Sequence, residues 1–459
     1  MLMQSILFMK TLRLSSFALR GSIGAALTPR AVVDYASAFA THIEGGSVVV
    51  GRDTRYSSPM LHAAATSGLL NAGCNIIDLG ICPTPIIQFA VRYYGAAGGL
   101  SITGGHSEAG SNSLNIINRE GSFFDPLSGQ TVLDIFHSKE FIKKDWQGMG
   151  NITQPDDFLE PYLNAFDNCI NIEAIRAAKF TVLMDPLGGA GVPYMDAFSK
   201  KLGLNLVPIN GEPNGYLARE AEPRPRSAKQ MASIIPYVKG DVGFVFSSDM
   251  VRMSLVTETT EPKSEEYTFA TIANHVLNKQ KGTVVTNSCT SRLIDDIVEK
   301  HNSQLVKTKV GQQHIVPALA DEQGVLGGEG SGSVVLPKWG PCADGFVMMA
   351  LVLEAIAENK VPLSEIVNDL PSYHIVKKNL PCISSKGYRI LDHVEKLWRQ
   401  ENPQSINMLD GLRVDDENGW KYIRISRTER MIRIIAESTD PELAEKEAEE
   451  TIRTLEEIL

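Results

Sequence analysis

Short apolar segments that alternate with helix-length segments constrain the fold of this chain more than any other feature of its sequence. Residues 47–50 and 76–79 have the apolar character of buried strands, and each is followed by a helix that a proline opens, at Pro59 and Pro85. The alternation continues through most of the chain and is typical of βαβ units around a parallel sheet. Because 459 residues exceed what one hydrophobic core usually serves, we expect several domains of the α/β class.

The bulk composition excludes several classes of function. Apolar residues make up 43% and charged residues 21% of the chain, which is ordinary for a globular protein in water. The net charge of −10 argues against a nucleic-acid partner, which would require a basic surface, but it allows a small anion in a local positive pocket. No uninterrupted run of 18 apolar residues offers a membrane span.

The N-terminal residues and the cysteines are typical of a cytoplasmic protein. Residues 1–10 are mildly apolar, but they lack the leading charge and the small-residue cleavage site of a signal peptide. The six cysteines lie far apart and form no Cys-x-x-Cys pair. We therefore expect reduced thiols in a cytoplasmic protein.

A glycine-rich loop follows the strand-like residues 98–102 and has the composition of an active-site loop. Its sequence is Thr103-Gly104-Gly105-His106-Ser107-Glu108, and Asn112-Ser113-Leu114-Asn115 follow. Glycine lets the backbone approach a ligand closely, and successive N–H groups can form a nest for an anion. The loop is therefore the first candidate site.

These residues resemble the α-D-phosphohexomutases, the family of phosphoglucomutases, phosphomannomutases and phosphoglucosamine mutases. The family carries Thr-Ala-Ser-His-Asn-Pro and then Tyr/Trp-Asn-Gly-Leu/Ile-Lys at the same spacing. The resemblance implies that Gly105 replaces the serine that carries the phosphoryl group, and that Asn115 replaces a substrate-binding lysine. Glycine has no nucleophile, so position 105 cannot hold a phosphoryl group covalently. His106 and Ser107 remain as candidate catalytic groups.

A second motif, at residues 247–252, resembles the metal loop of the family. The family has Asp-Gly-Asp-Ala-Asp-Arg. This chain keeps the middle aspartate as Asp249 and the arginine as Arg252, but it has Ser247 and Val251 in place of the two outer aspartates. Magnesium requires oxygen ligands, and valine offers none. We expect Asp249 to be a residual ligand without tight Mg²⁺, and no other cofactor. Arg252 is a further catalytic candidate, and Mg²⁺ is expected only if the protein is an active mutase.

Three other motifs resemble parts of the family that bind substrate. Arg20 lies in an Arg-Gly-x-x-Gly segment near the expected cleft. The segment with Arg52, Asp53 and Arg55 also resembles the family, but an ion pair that fixes a turn explains these three residues more simply. Glu329 and Ser331 lie in a Gly-Glu-x-Ser-Gly loop, where a carboxylate and a hydroxyl can bind neighbouring hydroxyls of a sugar.

The last motif resembles the loop that holds the non-reacting phosphate of the substrate. Arg424, Ser426 and Thr428 match it, and an arginine with two hydroxyls suits a phosphate. Arg427 and Arg430 replace a glycine and a proline of the family pattern, so the first adds a cation but also a side chain where none is usual.

The resemblance covers nearly the whole chain and implies a fold. We expect an α/β architecture of four domains, with three related α/β domains that have mixed sheets and a smaller C-terminal α+β domain, around a central cleft. The expected ranges are residues 1–150, 151–256, 257–375 and 376–459. The family also implies a homodimer, and a different protein partner stays open.

The residues that are missing decide the functional interpretation. The phosphate carrier, two metal positions and the loop lysine are absent together, so we expect a non-catalytic homologue that binds a phosphorylated sugar or similar anion as a sensor, regulator or assembly partner. The alternative is an active hexose-phosphate mutase, an intramolecular phosphotransferase, that uses a different phosphate acceptor or a bisphosphate cofactor. A purely structural subunit is disfavoured, because it would not need the phosphate-binding residues.

Overall fold

The computed structural model describes residues 12–155, 158–382, 384–401, 406–426 and 431–458. Within these residues the strands form four separate sheets that follow one another along the chain. We call the corresponding parts of the chain units 1 to 4.

Unit 1 has a mixed sheet with the strand order β1–β2–β6–β5–β3–β4–β7. Its strands are β1 (Arg13–Leu14), β2 (Ala18–Ser22), β3 (Ser47–Arg52), β4 (Asn75–Ile81), β5 (Gly98–Ile102), β6 (Ser111–Ile117) and β7 (Ile152–Thr153). Its helices are α1 (Pro29–His42), α2 (Ser58–Asn71), α3 (Thr84–Tyr93) and α4 (Pro126–Ser138). Strand β3 is buried on both faces, because Val48 and Val50 pack into one apolar cluster and Val49 into another.

Helix starts in unit 1 follow the sequence signals. The Thr28 hydroxyl accepts a hydrogen bond from the Ala31 N–H at 3.3 Å, and proline occupies the first turn of α1. At the start of α4, the Asp125 carboxylate accepts hydrogen bonds from the Leu127 N–H at 2.8 Å and the Ser128 N–H at 3.1 Å. These side chains satisfy backbone donors that have no partner inside the helix.

We expect Asp125→Ala to destabilise α4 by about 1 kcal/mol at neutral pH. Burial disfavours the charged carboxylate, but hydrogen bonds from Ser128 and Leu127 outweigh it and lower the pKa of Asp125. A lowered pKa gives stability that is present above the usual value of about 3.9 and is lost as the pH falls through the folded value. Hydrogen exchange of the α4 amides should therefore accelerate in the variant at pH 7, and the difference should shrink in acid. An equal difference at both pH values would contradict the role of the charge.

Unit 2 has the strand order β11–β10–β8–β9, in which only the β10–β11 pair is antiparallel. Its strands are β8 (Thr181–Asp185), β9 (Asn205–Pro208), β10 (Val242–Phe246) and β11 (Met253–Thr257), and its helices are α5 (Leu159–Ala165), α6 (Ile172–Ala178), α7 (Met195–Leu202) and α8 (Lys229–Val238). The turn between β10 and β11 contains residues 247–252.

Unit 3 has the strand order β13–β12–β14–β15, with β14 and β15 antiparallel. Its strands are β12 (Thr283–Asn287), β13 (Gln304–Thr308), β14 (Leu326–Glu329) and β15 (Ser333–Val335), and its helices are α9 (Glu266–Lys279), α10 (Leu293–Lys300), α11 (Gln312–Asp321), α12 (Gly345–Asn359) and α13 (Leu363–Asn368). Helix α12 is buried from Gly345 to Ile356, as its nearly continuous apolar sequence requires.

Aromatic side chains join the first three units into one core. Phe198 of α7 stacks on Phe346 of α12 with the ring centroids 3.7 Å apart, and Phe89 of α3 stacks on Trp339 at 5.8 Å. The Tyr162 hydroxyl and the Trp339 indole N–H both donate hydrogen bonds to Asp344, at 2.6 and 3.2 Å. Units 1 to 3 therefore share buried surface, which fixes the loops between them.

Unit 4 is an antiparallel sheet, β16–β20–β19–β18–β17, covered by two helices. Its elements are β16 (His374–Pro381), α14 (Ser384–Glu401), β17 (Ile406–Asn407), β18 (Leu412–Asp415), β19 (Gly419–Ile425), β20 (Met431–Ser438) and α15 (Pro441–Ile458). Arg413 donates a hydrogen bond to the Ser288 carbonyl at 2.7 Å, and the Arg292 N–H donates to Glu437 at 2.8 Å, so unit 4 is tied to unit 3.

The expected architecture of three α/β domains with mixed sheets and a smaller C-terminal α+β domain is confirmed, and the sheet of the last domain is antiparallel. Strand β7 pairs with β4 and so belongs to the sheet of unit 1, although it lies beyond residue 150. Among the described residues no helix is long and apolar enough to span a membrane. The homodimer implied by the resemblance stays a prediction.

Candidate active site

A buried carboxylate, that of Asp53, connects the turn after β3 to the loop after β5. Its Oδ1 accepts hydrogen bonds from the Arg55 N–H at 3.0 Å and from the Ser58 hydroxyl. Its Oδ2 accepts from Thr103 Oγ1 at 2.8 Å and from the Gly104 N–H at 3.0 Å. We call residues 103–110 the glycine loop; Asp53 fixes its first two residues.

Arg55 holds the rest of the glycine loop. The side chain is 2% exposed and forms an ion pair with Asp53, with Nε and Oδ2 3.2 Å apart. Its guanidinium donates hydrogen bonds at 2.6–3.2 Å to the backbone carbonyls of Gly105, Ser107, Glu108 and Ser111. The predicted ion pair is thus confirmed for Asp53 and Arg55, while among the described residues Arg52 bonds only the Asp53 backbone carbonyl. The Arg55 side chain also sets the conformation of the loop.

Two glycines allow this packing. A Cβ at Gly104 would overlap the guanidinium of Arg55. Gly105 has a φ of +53°, in the left-handed region, and a Cβ there would lie 2.9 Å from Asp249 Oδ2. Ser248 Oγ also donates to the Gly105 carbonyl at 2.8 Å. Hence the loop at residues 247–252, which we call the aspartate loop, contacts the glycine loop at the residue that replaces the family serine.

The aspartate loop does not fit a magnesium ion. Asp249 supplies a carboxylate, but its Oδ1 already accepts hydrogen bonds from Ser247 Oγ at 2.6 Å and from the Val251 N–H at 3.3 Å. Val251 has no ligand atom, and its side chain packs in an apolar cluster with Ile315 and Val335. Since Mg²⁺ requires near-octahedral oxygen coordination, one carboxylate and one hydroxyl are too few.

His106 lies in a strongly positive environment. Arg252, burial, and the charges of Arg20, Arg433 and Arg55 hold the pKa of His106 well below the usual range of an imidazole, so the ring is neutral at neutral pH. The side chain is half-buried and its ring makes no hydrogen bond to another described residue. A chain with net charge −10 thus concentrates arginines at this one place.

The predicted catalytic candidates differ in their surroundings. Arg252 is the last residue of the aspartate loop and pairs with Glu222, with Nη1 and Oε1 3.0 Å apart. Ser107 is half-buried, and its N–H donates to the Gly104 carbonyl at 2.9 Å. Ser101, a further hydroxyl in the strand before the loop, is 1% exposed and shares a hydrogen bond with Thr84 at 2.7 Å.

The predicted sugar loop lies at the end of β14. The Glu329 carboxylate accepts hydrogen bonds from Asn287 Nδ2 at 2.7 Å and from the Gly311 N–H at 2.9 Å. The Ser331 hydroxyl oxygen is buried and has no hydrogen-bond partner in the described structure. Behind this loop lies Glu266, which would overlap a Cβ at residue 330 and whose pKa burial raises to about 7. No described residue therefore satisfies the hydroxyl of Ser331.

The predicted phosphate loop is described only in part. Arg424 pairs with Asp410, with Nη1 and Oδ2 2.8 Å apart. The Ser426 N–H donates to the Met431 carbonyl at 2.9 Å, and the residue is 2% exposed. Thr428, together with Arg427 and Arg430, lies outside the described residues. Arg424 and Ser426 are therefore positioned at the end of β19, with a carboxylate beside the arginine.

Sequence reasoning missed three residues of this region. Arg433 reaches the surroundings of His106 from β20, while Glu222 and Asp410 pair with Arg252 and Arg424. Arg433 could have been noticed, because it is the exposed charge between the buried Ile432 and Ile434 of a strand. Glu222 and Asp410 could not have been identified, because nothing in the sequence shows which arginine a given carboxylate will pair with.

Comparison with known proteins places this geometry in a family. Three family models match consecutive parts of the chain: phosphoglucomutase/phosphomannomutase alpha/beta/alpha domain I at residues 16–143, domain II at 160–260 and domain III at 264–373. A probable phosphoglucosamine mutase of Pyrococcus abyssi is 32% identical over 429 residues, which cover 93% of this chain and 94% of the relative.

Solved structures show the same fold at lower identity. A phosphoglucomutase/phosphomannomutase family protein of Burkholderia thailandensis has a TM-score of 0.83 and 22% identity, covering 97% of this chain and 98% of that one. The N-acetylphosphoglucosamine mutase of Aspergillus fumigatus, solved in complex with GlcNAc-6P and magnesium, has a TM-score of 0.57 and 14% identity, covering 93% of this chain and 96% of that one.

Proposed function

The chain belongs to the phosphoglucomutase/phosphomannomutase family, and we propose that it is an active hexose-phosphate mutase. Such an enzyme exchanges a phosphoryl group between two hydroxyl oxygens of one hexose. The observation that carries the proposal is the group of arginines around His106, because guanidinium groups bind and neutralise phosphate oxygens. The names of the relatives also favour this alternative over a non-catalytic homologue.

The described residues supply binding groups for both ends of such a substrate. Among the described residues, the Arg252 side chain bonds only Glu222, so its other N–H groups can contact the reacting phosphate. Arg424 and Ser426 would hold the second phosphate, and Glu329 and Ser331 the hydroxyls between them. No step is assigned to a metal ion, because the aspartate loop does not fit one. The positive charge that phosphoryl transfer requires would come from the arginines.

Ser331→Ala should separate binding from stability. The hydroxyl has no partner in the described structure, so its removal should leave the melting temperature unchanged or slightly raised. If a hexose phosphate supplies the missing partner, its Kd should rise about 2–10-fold, the value of one neutral hydrogen bond. Calorimetric titration with glucosamine 1-phosphate and glucosamine 6-phosphate measures this. An unchanged Kd would remove Ser331 from the binding site.

The second candidate function is binding of the same phosphosugars without turnover. It is favoured by Gly105, Ser247 and Val251, which leave no serine carrier and no magnesium shell. The two candidates differ in one assay, in which the protein is incubated with glucose, mannose or glucosamine 1-phosphate, a trace of the hexose 1,6-bisphosphate, and either Mg²⁺ or a chelator.

Formation of the 6-phosphate is the result we expect. The rate should scale with protein concentration and should be lost on heat denaturation. Binding without any 6-phosphate would refute the proposed mutase and establish the second candidate. Turnover that requires Mg²⁺ would show that our assessment of the aspartate loop is wrong.

A further inference from the structure

We propose that His106 is the phosphoryl acceptor of this protein, in place of a side chain at position 105. The inference rests on the proposed function, since it assigns the carrier for the same transfer. It would make the imidazole a catalytic residue that forms a covalent intermediate.

The backbone presents His106 in a fixed position next to the replaced serine. On one side, the Gly105 carbonyl accepts hydrogen bonds from Arg55 at 3.2 Å and Ser248 at 2.8 Å. On the other, the Ser107 carbonyl accepts from Arg55 at 2.7 Å. The ring itself makes no hydrogen bond within the described part of the chain and is half-buried. A neutral ring nitrogen therefore keeps its lone pair for an incoming phosphorus atom.

The neighbouring hydroxyls are less suitable. Ser248 and Ser247 donate their protons to the Gly105 carbonyl and to Asp249. Ser101 is buried in its strand. Ser107 is followed by the exposed carboxylate of Glu108, which would repel a dianion. Among the described groups near position 105, the imidazole alone combines a free lone pair with a cationic surrounding.

The arginines provide charge that a metal ion would otherwise supply. Arg20 comes from β2, Arg252 from the aspartate loop and Arg433 from β20, so three units contribute to the surroundings of one ring. The positive charge of Arg55 also acts on the His106 ring, although the N–H donors of Arg55 are already bonded to backbone carbonyls. Guanidinium groups match the oxygens of a transferring phosphoryl group in geometry as well as in charge.

The chemical step balances. A ring nitrogen of His106 attacks the phosphorus of a hexose 1,6-bisphosphate, the N–P bond forms and the bond between phosphorus and one sugar oxygen breaks. The sugar oxygen leaves with the bonding electron pair and takes up the proton that the other ring nitrogen releases, directly or through water. The products are a hexose monophosphate and a phosphohistidine with a neutral ring and an anionic phosphoryl group. The reverse step on the other hydroxyl of the sugar completes the exchange.

The test is a labelling experiment with the full chain. The protein is incubated with hexose 1,6-bisphosphate carrying ³²P, and the label is mapped by mass spectrometry and by its stability in acid and alkali. We expect an adduct on His106 that is lost in acid and stable in alkali. His106→Asn should reduce labelling at least 100-fold, whereas Ser107→Ala should retain it. Since the His106 ring makes no hydrogen bond to described residues, His106→Asn should keep the parental melting temperature, which excludes misfolding as the cause.

The outcomes separate this inference from the proposed function. Turnover with an acid-stable adduct on another residue, or turnover without any adduct on His106, would overturn the inference and leave the mutase intact. An adduct on His106 without formation of the 6-phosphate would support the inference and refute the mutase. Neither label nor turnover would overturn both.

Discussion

Replacing Arg55 with alanine (Arg55→Ala) is expected to lower the free energy of unfolding by about 3–5 kcal/mol. The side chain is 2% exposed, and its loss would leave the buried Asp53 carboxylate without its ion partner. It would also leave four backbone carbonyls without the donor that now joins them. Urea denaturation measures the loss of stability, and hydrogen exchange of residues 103–111 shows whether it arises in the glycine loop.

Arg52→Ala is the matched control for Arg55→Ala. Arg52 lies three residues earlier, is half-buried, and donates from Nη1 to the Asp53 carbonyl at 3.2 Å. Its replacement should cost at most about 1 kcal/mol. Arg55→Lys should fall between the two, because an ammonium keeps the charge but cannot reach four carbonyls in the geometry of a guanidinium. Equal losses for Arg52→Ala and Arg55→Ala would contradict the assigned role of Arg55.

The fold could be predicted because local signals and global architecture agree. The alternation of strands and helices, a proline at the start of a helix, and a capping residue such as Thr28 each depend on neighbouring residues in the sequence. Mixed sheets and a C-terminal α+β domain came from the resemblance, and the structure confirms both. Boundaries were less accurate: the apolar pattern covers residues 47–50 and 76–79, whereas β3 spans Ser47–Arg52 and β4 spans Asn75–Ile81.

The candidate site was predictable in position but not in its interactions. The Arg55 side chain meets carbonyls 50 to 56 residues away, and such contacts have no local pattern. The sequence suggested that Gly104 makes room for a ligand, whereas the structure gives that space to the guanidinium of Arg55. The role of Val251 was also hidden, because a lost metal ligand and a packing residue look the same in a sequence.

Gly105→Ser alone is expected not to create a phosphoserine enzyme. Residue 105 has a φ of +53°, which costs a residue with a side chain about 1–2 kcal/mol. The new Cβ would lie 2.9 Å from Asp249 Oδ2, so that the introduced hydroxyl would face a carboxylate. A phosphate there would be repelled by that charge, with no fitting metal site to neutralise it. Incubation with hexose 1,6-bisphosphate followed by intact-mass analysis in the His106→Asn background should therefore show no acid-stable adduct.

Removing the charge of Asp249 shows whether this carboxylate prevents phosphorylation of a serine at position 105. Gly105→Ser combined with Asp249→Asn keeps the same backbone strain but removes the repulsion, so we expect a slow, acid-stable adduct that the single variant lacks. Gly110→Ser is the matched control, because a Cβ at Gly110 has no neighbour within 4 Å and should change neither stability nor labelling. An adduct on the single variant at the rate of the double variant would mean that the Asp249 charge does not decide the chemistry at position 105. In that case the missing hydroxyl alone would explain why the family's serine chemistry is absent here.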